Sequence, residues 1–164
     1  MGRFSLPDEK PKGLDSPGAA KFIRYMSKAN VAAFKLTNGR VGGRWRIGEG
    51  FKKPPPILLL DHVGRTSGKT YTAPLVYLVD GDNLVVVASQ GGLPKNPQWY
   101  ANLVANPDTV VHLRKAKARR VHARVTEGAE REALWVRLLD LYADFAKYAT
   151  WTNRQIPVVV LEPR

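Results

Sequence analysis

The chain is expected to be α+β and mainly β, with five or six mainly antiparallel strands and flanking helices. Three observations predict this. Residues 57–89 hold three apolar runs separated by Gly64-Arg65-Thr66-Ser67-Gly68-Lys69 and Asp80-Gly81-Asp82-Asn83, the punctuation of strands joined by turns. Residues 108–114 and 118–126 alternate Val, Leu and Ala with basic side chains around Lys115-Ala116-Lys117, as a hairpin does. Helical spacing is confined to residues 16–38, a short stretch after Asn96-Pro97, and residues 127–150, after which residues 156–162 form a last strand.

With 164 residues and 44% apolar content, the chain fits one domain with one ordinary core, expected over residues 16–164. Residues 1–15, with three basic groups and two prolines, are expected to be a flexible basic arm. The absence of cysteine excludes disulfides, thiolate metal sites and a Cys nucleophile. No apolar run approaches the ~20 residues that span a bilayer, and the start lacks a signal-peptide core, so the expected location is the cytoplasm. The formal charge is +12, and residues 1–53 carry twelve basic against four acidic groups, +8 of that total. Such a field attracts polyanions: nucleic acid, an anionic membrane surface or an acidic cofactor tail.

Ser16-Pro17 reads as an N-cap and first-turn proline, and Asn38-Gly39 as a C-terminal stop. Between them Phe22, Met26, Ala29 and Ala33 recur at helical steps, widened by Ile23, Phe34 and Leu36, while Lys21, Arg24, Lys28 and Lys35 lie mostly on other faces. The ordinary expectation is a helix packed on the core with a solvated charged face. The alternative is a helix resting on a membrane surface or at a substrate entrance. Residues 40–56, rich in glycine and ending in three prolines, form a connector whose Arg44-Trp45-Arg46 cluster suits stacking or phosphate contact.

The loop Gly64 to Thr70 nearly spells a nucleotide-hydrolase phosphate loop, and the near match fails twice. Three residues, not four, separate its first glycine from Gly68-Lys69, and the segment after Lys69 alternates like a strand and contains Pro74. Its amides, the Thr66 and Ser67 hydroxyls and the charges of Arg65 and Lys69 still suit an anion. The helix after Asn96-Pro97, with Lys95 before it, is a second candidate anion site. Gly91-Gly92 frees the backbone for close approach to a flat group. His112 and His122 are expected to lie across the hairpin without completing a metal shell, and His62, beside Asp61, reads as structural. The helix over 127–150 is expected to bury Ala133, Leu134, Val136, Leu138, Leu139 and Leu141. Its second half aligns Tyr142, Phe145, Tyr148 and Trp151 at steps of three.

Taken in order, Gly64-Arg65-Thr66-Ser67-Gly68-Lys69, Pro74-Leu75, Asp80-Gly81, Ala88-Ser89-Gln90-Gly91-Gly92, Lys95-Asn96-Pro97, Trp99-Tyr100, Asn102-Leu103, Asn106-Pro107 and the ending Trp151 to Pro163 resemble the deazaflavin-dependent nitroreductase family. The resemblance runs from about residue 20 to the C-terminus. It implies a split β-barrel related to FMN-binding oxidoreductases, and an enzyme that uses reduced coenzyme F420 to reduce quinones, nitro compounds or activated enones. By the same resemblance Arg65, Thr66 and Ser67, with Tyr71, Thr72, Ala73, Pro74, Leu75 and Val76, would hold the cofactor's phosphate and glutamyl tail and flank its ring. Val87, Ala88, Ser89 and Gln90 would line the deazaflavin, as would Gln98, Trp99, Tyr100, Ala101 and Asn102, with Lys95 and Asn96 as further contacts. Tyr142, Phe145 and Tyr148 would close over the substrate, and Ser89, Tyr142 or Tyr148 would hydrogen-bond the acceptor oxygen. The chain departs from better-known members at Phe145, where tyrosine is familiar, and at Gln90, where lysine also occurs.

Other classes stay open on the residues alone. An FMN-binding reductase of the same fold would use the same loops. A non-catalytic anion or nucleic-acid binder would use the stretch from Arg114 to Arg124, six basic groups without an acid; the ordered motif set argues against it. Peripheral contact with an anionic membrane is compatible with the reductase. No residue pattern sets the oligomeric state.

Overall fold

The computed structural model describes residues 6–164. Its strands are β1 (Ile57–Val63), β2 (Thr70–Asp80), β3 (Asn83–Val87), β4 (Asp108–His112), β5 (Arg119–Val125) and β6 (Val158–Pro163). They close into one antiparallel barrel in the order β1-β2-β3-β6-β5-β4. The last expected strand begins two residues late, and the hairpin strands are a little shorter than the pattern suggested.

Alternation explains why the central strands read as continuous apolar runs. Successive side chains of a strand point to opposite faces. In β3, Leu84 and Val86 enter a core with Leu58, Leu60, Val159 and Leu161. Val85 and Val87 enter a second core with Val158, Val160, Leu134, Leu138 and the rings of Tyr142, Phe145 and Tyr148. Both faces of β3 and β6 are therefore covered, and neither strand has a polar side to display. β2 passes from β1, which it pairs through Val76, to β3, which it pairs from Tyr77. Pro74 thus sits in the half with one strand neighbour, where a missing N–H is tolerated.

Helix α2 (Gln98–Ala105) closes the first core with Trp99 and Leu103. The helix expected over 127–150 is two helices, α3 (Gly128–Leu141) and α4 (Asp144–Thr150). Tyr142 between them is extended at φ −149°, ψ 95°. The break has a partner: the buried Asp144 carboxylate accepts the Glu49 amide at 2.8 Å. It also changes what is buried, since α3 turns in Arg131, Leu134 and Leu138 and leaves Val136 61% exposed.

Helix α1 (Pro17–Thr37) has the expected ends, with Ser16 Oγ accepting from the Ala19 amide at 3.2 Å and Asn38 left-handed at φ 50°. Its expected packing is wrong. Phe34 alone is buried, while Phe22, Tyr25 and Leu36 are 65%, 69% and 87% exposed. Only the C-terminal half meets the body, where Gly39 fits so closely that an added Cβ would stand 2.8 Å from the Arg114 backbone.

The arm expected over residues 1–15 falls partly, at Met1–Ser5, outside the described residues. Residues 6–15 carry neither helix nor strand, and Leu6 and Asp8 among them lie against the end of the chain's fourth helix. The Lys147 ammonium donates to the Leu6 carbonyl, and Trp151 Nε1 donates to the Asp8 carbonyl at 3.0 Å.

Candidate active site

The β1–β2 loop is closed by its own backbone, Gly64 N–H to the Lys69 carbonyl at 2.8 Å and Gly68 N–H to the Gly64 carbonyl at 2.8 Å. A Cβ at Gly64 would meet Ser67 Oγ and force that hydroxyl to turn away. The strand after the loop is β2, so the phosphate-loop reading fails in the structure as in the spacing.

Arg65 ties this loop to α2. Its backbone N–H and its Nη1 both donate to Asn102 Oδ1, at 3.1 and 3.0 Å, and Nη1 also donates to Gln98 Oε1 at 2.9 Å. Asn102 is buried, and its Nδ2 stands 2.9 Å from His62 Nδ1. Tyr71, opposite His62 in the β1–β2 register, stacks on that imidazole at 5.7 Å and brings its hydroxyl 3.3 Å from Ser67 Oγ. Five expected residues, Arg65, Ser67, Tyr71, Gln98 and Asn102, therefore form one connected set. Thr66 and Lys69 are exposed beside them. No acidic residue occurs between Gly64 and Val79 or between Leu84 and Pro107, so the cations here meet no carboxylate from their own segments.

A second set lies where β3 ends. Ser89 is buried, and its hydroxyl makes no hydrogen bond among the described residues. Gln90 takes φ 46° and turns its carboxamide toward the Lys95 and Asn96 carbonyls, and with its nitrogen assigned to that side it would donate to both, at 3.0 and 3.2 Å. Gly92, at φ 74°, passes so near α4 that a Cβ would stand 2.7 Å from the Tyr148 carbonyl.

Arg154 holds this turn. Its guanidinium donates to the carbonyls of Ala88 (3.1 Å), Ser89 (2.8 Å) and Leu93 (3.0 Å) and to Asn96 Oδ1 (2.7 Å). Burial lowers its pKa. Sequence reasoning assigned Arg154 no role. Its one signal was its place in the family-like ending, and a single cation before an apolar strand does not name its acceptors.

The α4 aromatics share a surface as the spacing predicted, with Tyr142–Phe145 centroids at 5.1 Å and Tyr148–Trp151 at 5.5 Å. That surface is core. Tyr142, Phe145 and Tyr148 are 2%, 4% and 8% exposed. The Tyr142 hydroxyl donates to the Ile47 carbonyl at 3.2 Å and lies 3.3 Å from the Tyr148 hydroxyl. Burial pushes both phenol pKa values up, reinforced at Tyr142 by Tyr148. Both are neutral O–H groups at ordinary pH.

The remaining expectations divide. Trp45 packs against the second core, and Arg44 Nη1 bonds the Pro54 carbonyl at 3.1 Å, so this cluster braces the connector. His112 and His122 do not face each other, because His122 pairs with Asp108 in the ladder. Each takes its own carboxylate, His112 to Asp61 at 2.9 Å and His122 to Asp108 at 2.6 Å. Among the described residues no group of three His, Cys, Asp or Glu side chains is placed to hold a metal.

A closed six-stranded antiparallel barrel with cation- and hydroxyl-bearing loops between its strands is a split barrel. The chain belongs to the F420H(2)-dependent quinone reductase family, whose model matches residues 26–163. It is 52% identical over 120 residues, 73% of this chain and 99% of the other, to Rv3178 of Mycobacterium tuberculosis, provisionally named an F420H(2)-dependent quinone reductase. The F420H(2)-dependent quinone reductase Rv1261c of the same species is 37% identical over 136 residues, 81% of this chain and 87% of its own. A solved F420-H2 dependent reductase, FDR-A, matches at TM-score 0.60 and 40% identity over 65% of this chain and 94% of that one. A structure described as a domain-swapped dimer matches at 0.63 and 32% over 88% and 99%.

Proposed function

We propose that this chain transfers a hydride from reduced coenzyme F420 to a quinone, with nitro compounds and activated enones as further acceptors. Family membership supports the reaction, and the acid-free cluster around Arg65 is the observation that carries it to these residues. The donor set fits the cofactor's chemistry. A tail bearing a phosphate and several carboxylates calls for cations and neutral donors, and the loop offers Arg65, Lys69, Thr66 and Ser67 together.

When bound, the deazaflavin supplies the hydride, so the protein's tasks are to bind, to orient and to exclude water. Arg65, Thr66, Ser67 and Lys69 would hold the tail, with Lys95 and Asn96 as further contacts. β2 from Tyr71 to Val76, the β3 end from Val87 to Gln90, and the first turns of α2 from Gln98 to Asn102 would flank the ring. Among Ser89, Tyr142 and Tyr148, Ser89 is favoured as donor to the acceptor oxygen, because its hydroxyl is uncommitted whereas Tyr142 is bonded to Ile47. Phe145 is buried in the second core and brings no hydroxyl toward an acceptor.

The test mixes reduced F420 with menadione and follows cofactor oxidation. Turnover with wild type and a loss of about a hundredfold in Ser89→Ala are expected. No oxidation above background, with no F420 binding by fluorescence, sinks the reading. Turnover with FMN and NADPH in its place favours the flavin variant of the fold.

The α1 surface supports a second reading, about location. Exposed Phe22, Ile23, Tyr25 and Met26 stand among Lys21, Arg24 and Lys28, and no acid occurs in the helix. Apolar contact with cationic flanks suits an anionic bilayer, where a lipid-soluble quinone would be met. No helix among the described residues is long and apolar enough to cross a membrane. Co-sedimentation with anionic but not neutral liposomes is expected. A concentration-dependent dimer without lipid binding would instead assign this face to a second copy, as the domain-swapped relative suggests.

A further inference from the structure

We propose that His62 is a positioning residue that orients Asn102 and, through it, Arg65, so that protonating one imidazole nitrogen loosens the β1–β2 loop's hold on an anionic cofactor tail. The proposal rests on the cofactor reading above.

The argument begins with the carboxamide, which has one accepting and one donating end. Asn102 Oδ1 is committed twice, to the Arg65 N–H and to its guanidinium. Asn102 must therefore present Nδ2 to His62 Nδ1 at 2.9 Å. Two nitrogens so close form a hydrogen bond only if Nδ1 carries a lone pair, which makes His62 neutral with its proton on Nε2.

Adding a proton at Nδ1 sets donor against donor. If the amide turned over to suit the imidazolium, Nδ2 would face the Arg65 N–H groups and two donors would again be opposed. Either way two of the three hydrogen bonds that join the loop to α2, both of them to Asn102, are lost. What still joins the loop to α2 is the exposed bond from Arg65 Nη1 to Gln98 Oε1, and the loop's other bonds are its own turns and the weak Ser67–Tyr71 contact.

The surroundings favour the neutral ring. Tyr71 of β2 covers it, and α2 presents the uncharged Asn102. The loop contributes the Arg65 cation, one bond beyond Asn102. Among the described residues the carboxylate that acts on it is Asp61, which is engaged by Thr72 Oγ1 at 2.7 Å and by His112 Nε2 of β4 at 2.9 Å. Burial lowers the His62 pKa, and Asp61 opposes this with a smaller effect. The switch therefore lies below the ordinary imidazole value of 6.5.

The experiment measures F420 affinity by fluorescence titration from about pH 7.5 to about pH 5, with the histidine tautomer read by nitrogen NMR. Wild type is expected to show Nδ1 unprotonated at the upper end and to lose about tenfold in affinity at the lower end. His62→Asn places a non-titrating carbonyl near the Nδ1 position. It should bind within about threefold of wild type at the upper end and lack the extra loss at the lower end. The ligand's own titration is common to both proteins and cancels. His62→Leu should bind about tenfold more weakly throughout. Superimposable pH profiles for wild type and His62→Asn, or an Nδ1–H tautomer at neutral pH, overturn the proposal. If wild type does not bind F420 at all, the cofactor reading falls separately. The relay is then judged by the Arg65 guanidinium resonances, and their indifference to His62→Leu overturns it.

Discussion

Helices α1 and α4 both carry aromatic and aliphatic side chains at helical spacing, and they end in opposite environments. Phe22 and Tyr25 of α1 are more than half exposed, whereas Tyr142, Phe145 and Tyr148 at α4 are almost wholly buried. Periodicity states which residues share a face; it does not state what lies against that face. At α4 the outer surface of β3 and β6 is apolar and in reach, so the rings complete a core with Val85, Val87, Val158 and Val160. At α1 only the turn around Phe34 meets the barrel. The stripe before it, from Phe22 to Met26, stays exposed among Lys21, Arg24 and Lys28.

The largest effect that could break this comparison is truncation at α4. Phe145→Ala should cost about 3–5 kcal/mol in urea or thermal unfolding, the range for deleting a buried ring. A cost under about 1 kcal/mol would mean that the rings are not core.

Next is Arg154→Met, which removes a donor from three carbonyls and Asn96, leaving the Ser89 carbonyl only its bond from the Gly92 N–H. It should cost roughly 2 kcal/mol and raise hydrogen exchange across residues 88–96. Unchanged exchange there would show that the turn against α4 holds itself.

The buried phenols give a pH test. Their folded pKa values lie above the ordinary 10.0. The unfolded chain therefore ionises first, and their stabilising effect is whole below that value and lost as pH rises past it. Stability should fall above about pH 10 by up to about 1.4 kcal/mol per pH unit for each tyrosine, and Tyr142→Phe should remove one such contribution. An unaltered slope in that variant would place the alkaline loss elsewhere.

The smallest effect is expected at α1. Phe22→Ser with Met26→Ser should change stability by no more than about 0.5 kcal/mol and leave menadione turnover intact, while abolishing retention on anionic liposomes. A larger loss of stability would mean that this face is covered in solution.

Much of the barrel was legible in the residues because its signals are local. A strand's period, an Asp-Gly turn, a Ser-Pro helix start and an Asn stop each act within a few positions. The spacing of Gly64, Gly68 and Lys69, with Pro74 after them, was enough to reject a phosphate loop, and β2 bears that out. Part of the candidate site was legible in the same way, since Arg65, Ser67, Tyr71, Gln98 and Asn102 lie in segments with strong family-like patterns.

What was not legible depended on partners distant in the chain. His62 reads as structural beside Asp61 until Asn102, forty residues on, is seen to need its lone pair. Arg154 is only one residue of the family-like ending until the carbonyls of Ala88 and Ser89 are found around it. The helix over 127–150 reads as continuous because its break depends on Asp144 meeting the Glu49 amide, 95 positions away.

The sequence alone therefore determined the strand and helix segments, the cationic, acid-free character of the loops and the family pattern, because these follow from neighbouring side chains and from composition. Tertiary structure alone decided which apolar stripe became core and which stayed bare. It also decided which polar groups were paired inside and which hydroxyl was left free at Ser89. Burial and hydrogen bonding are satisfied by whatever the closed barrel brings within about 3 Å, and that distance is not written in sequence separation.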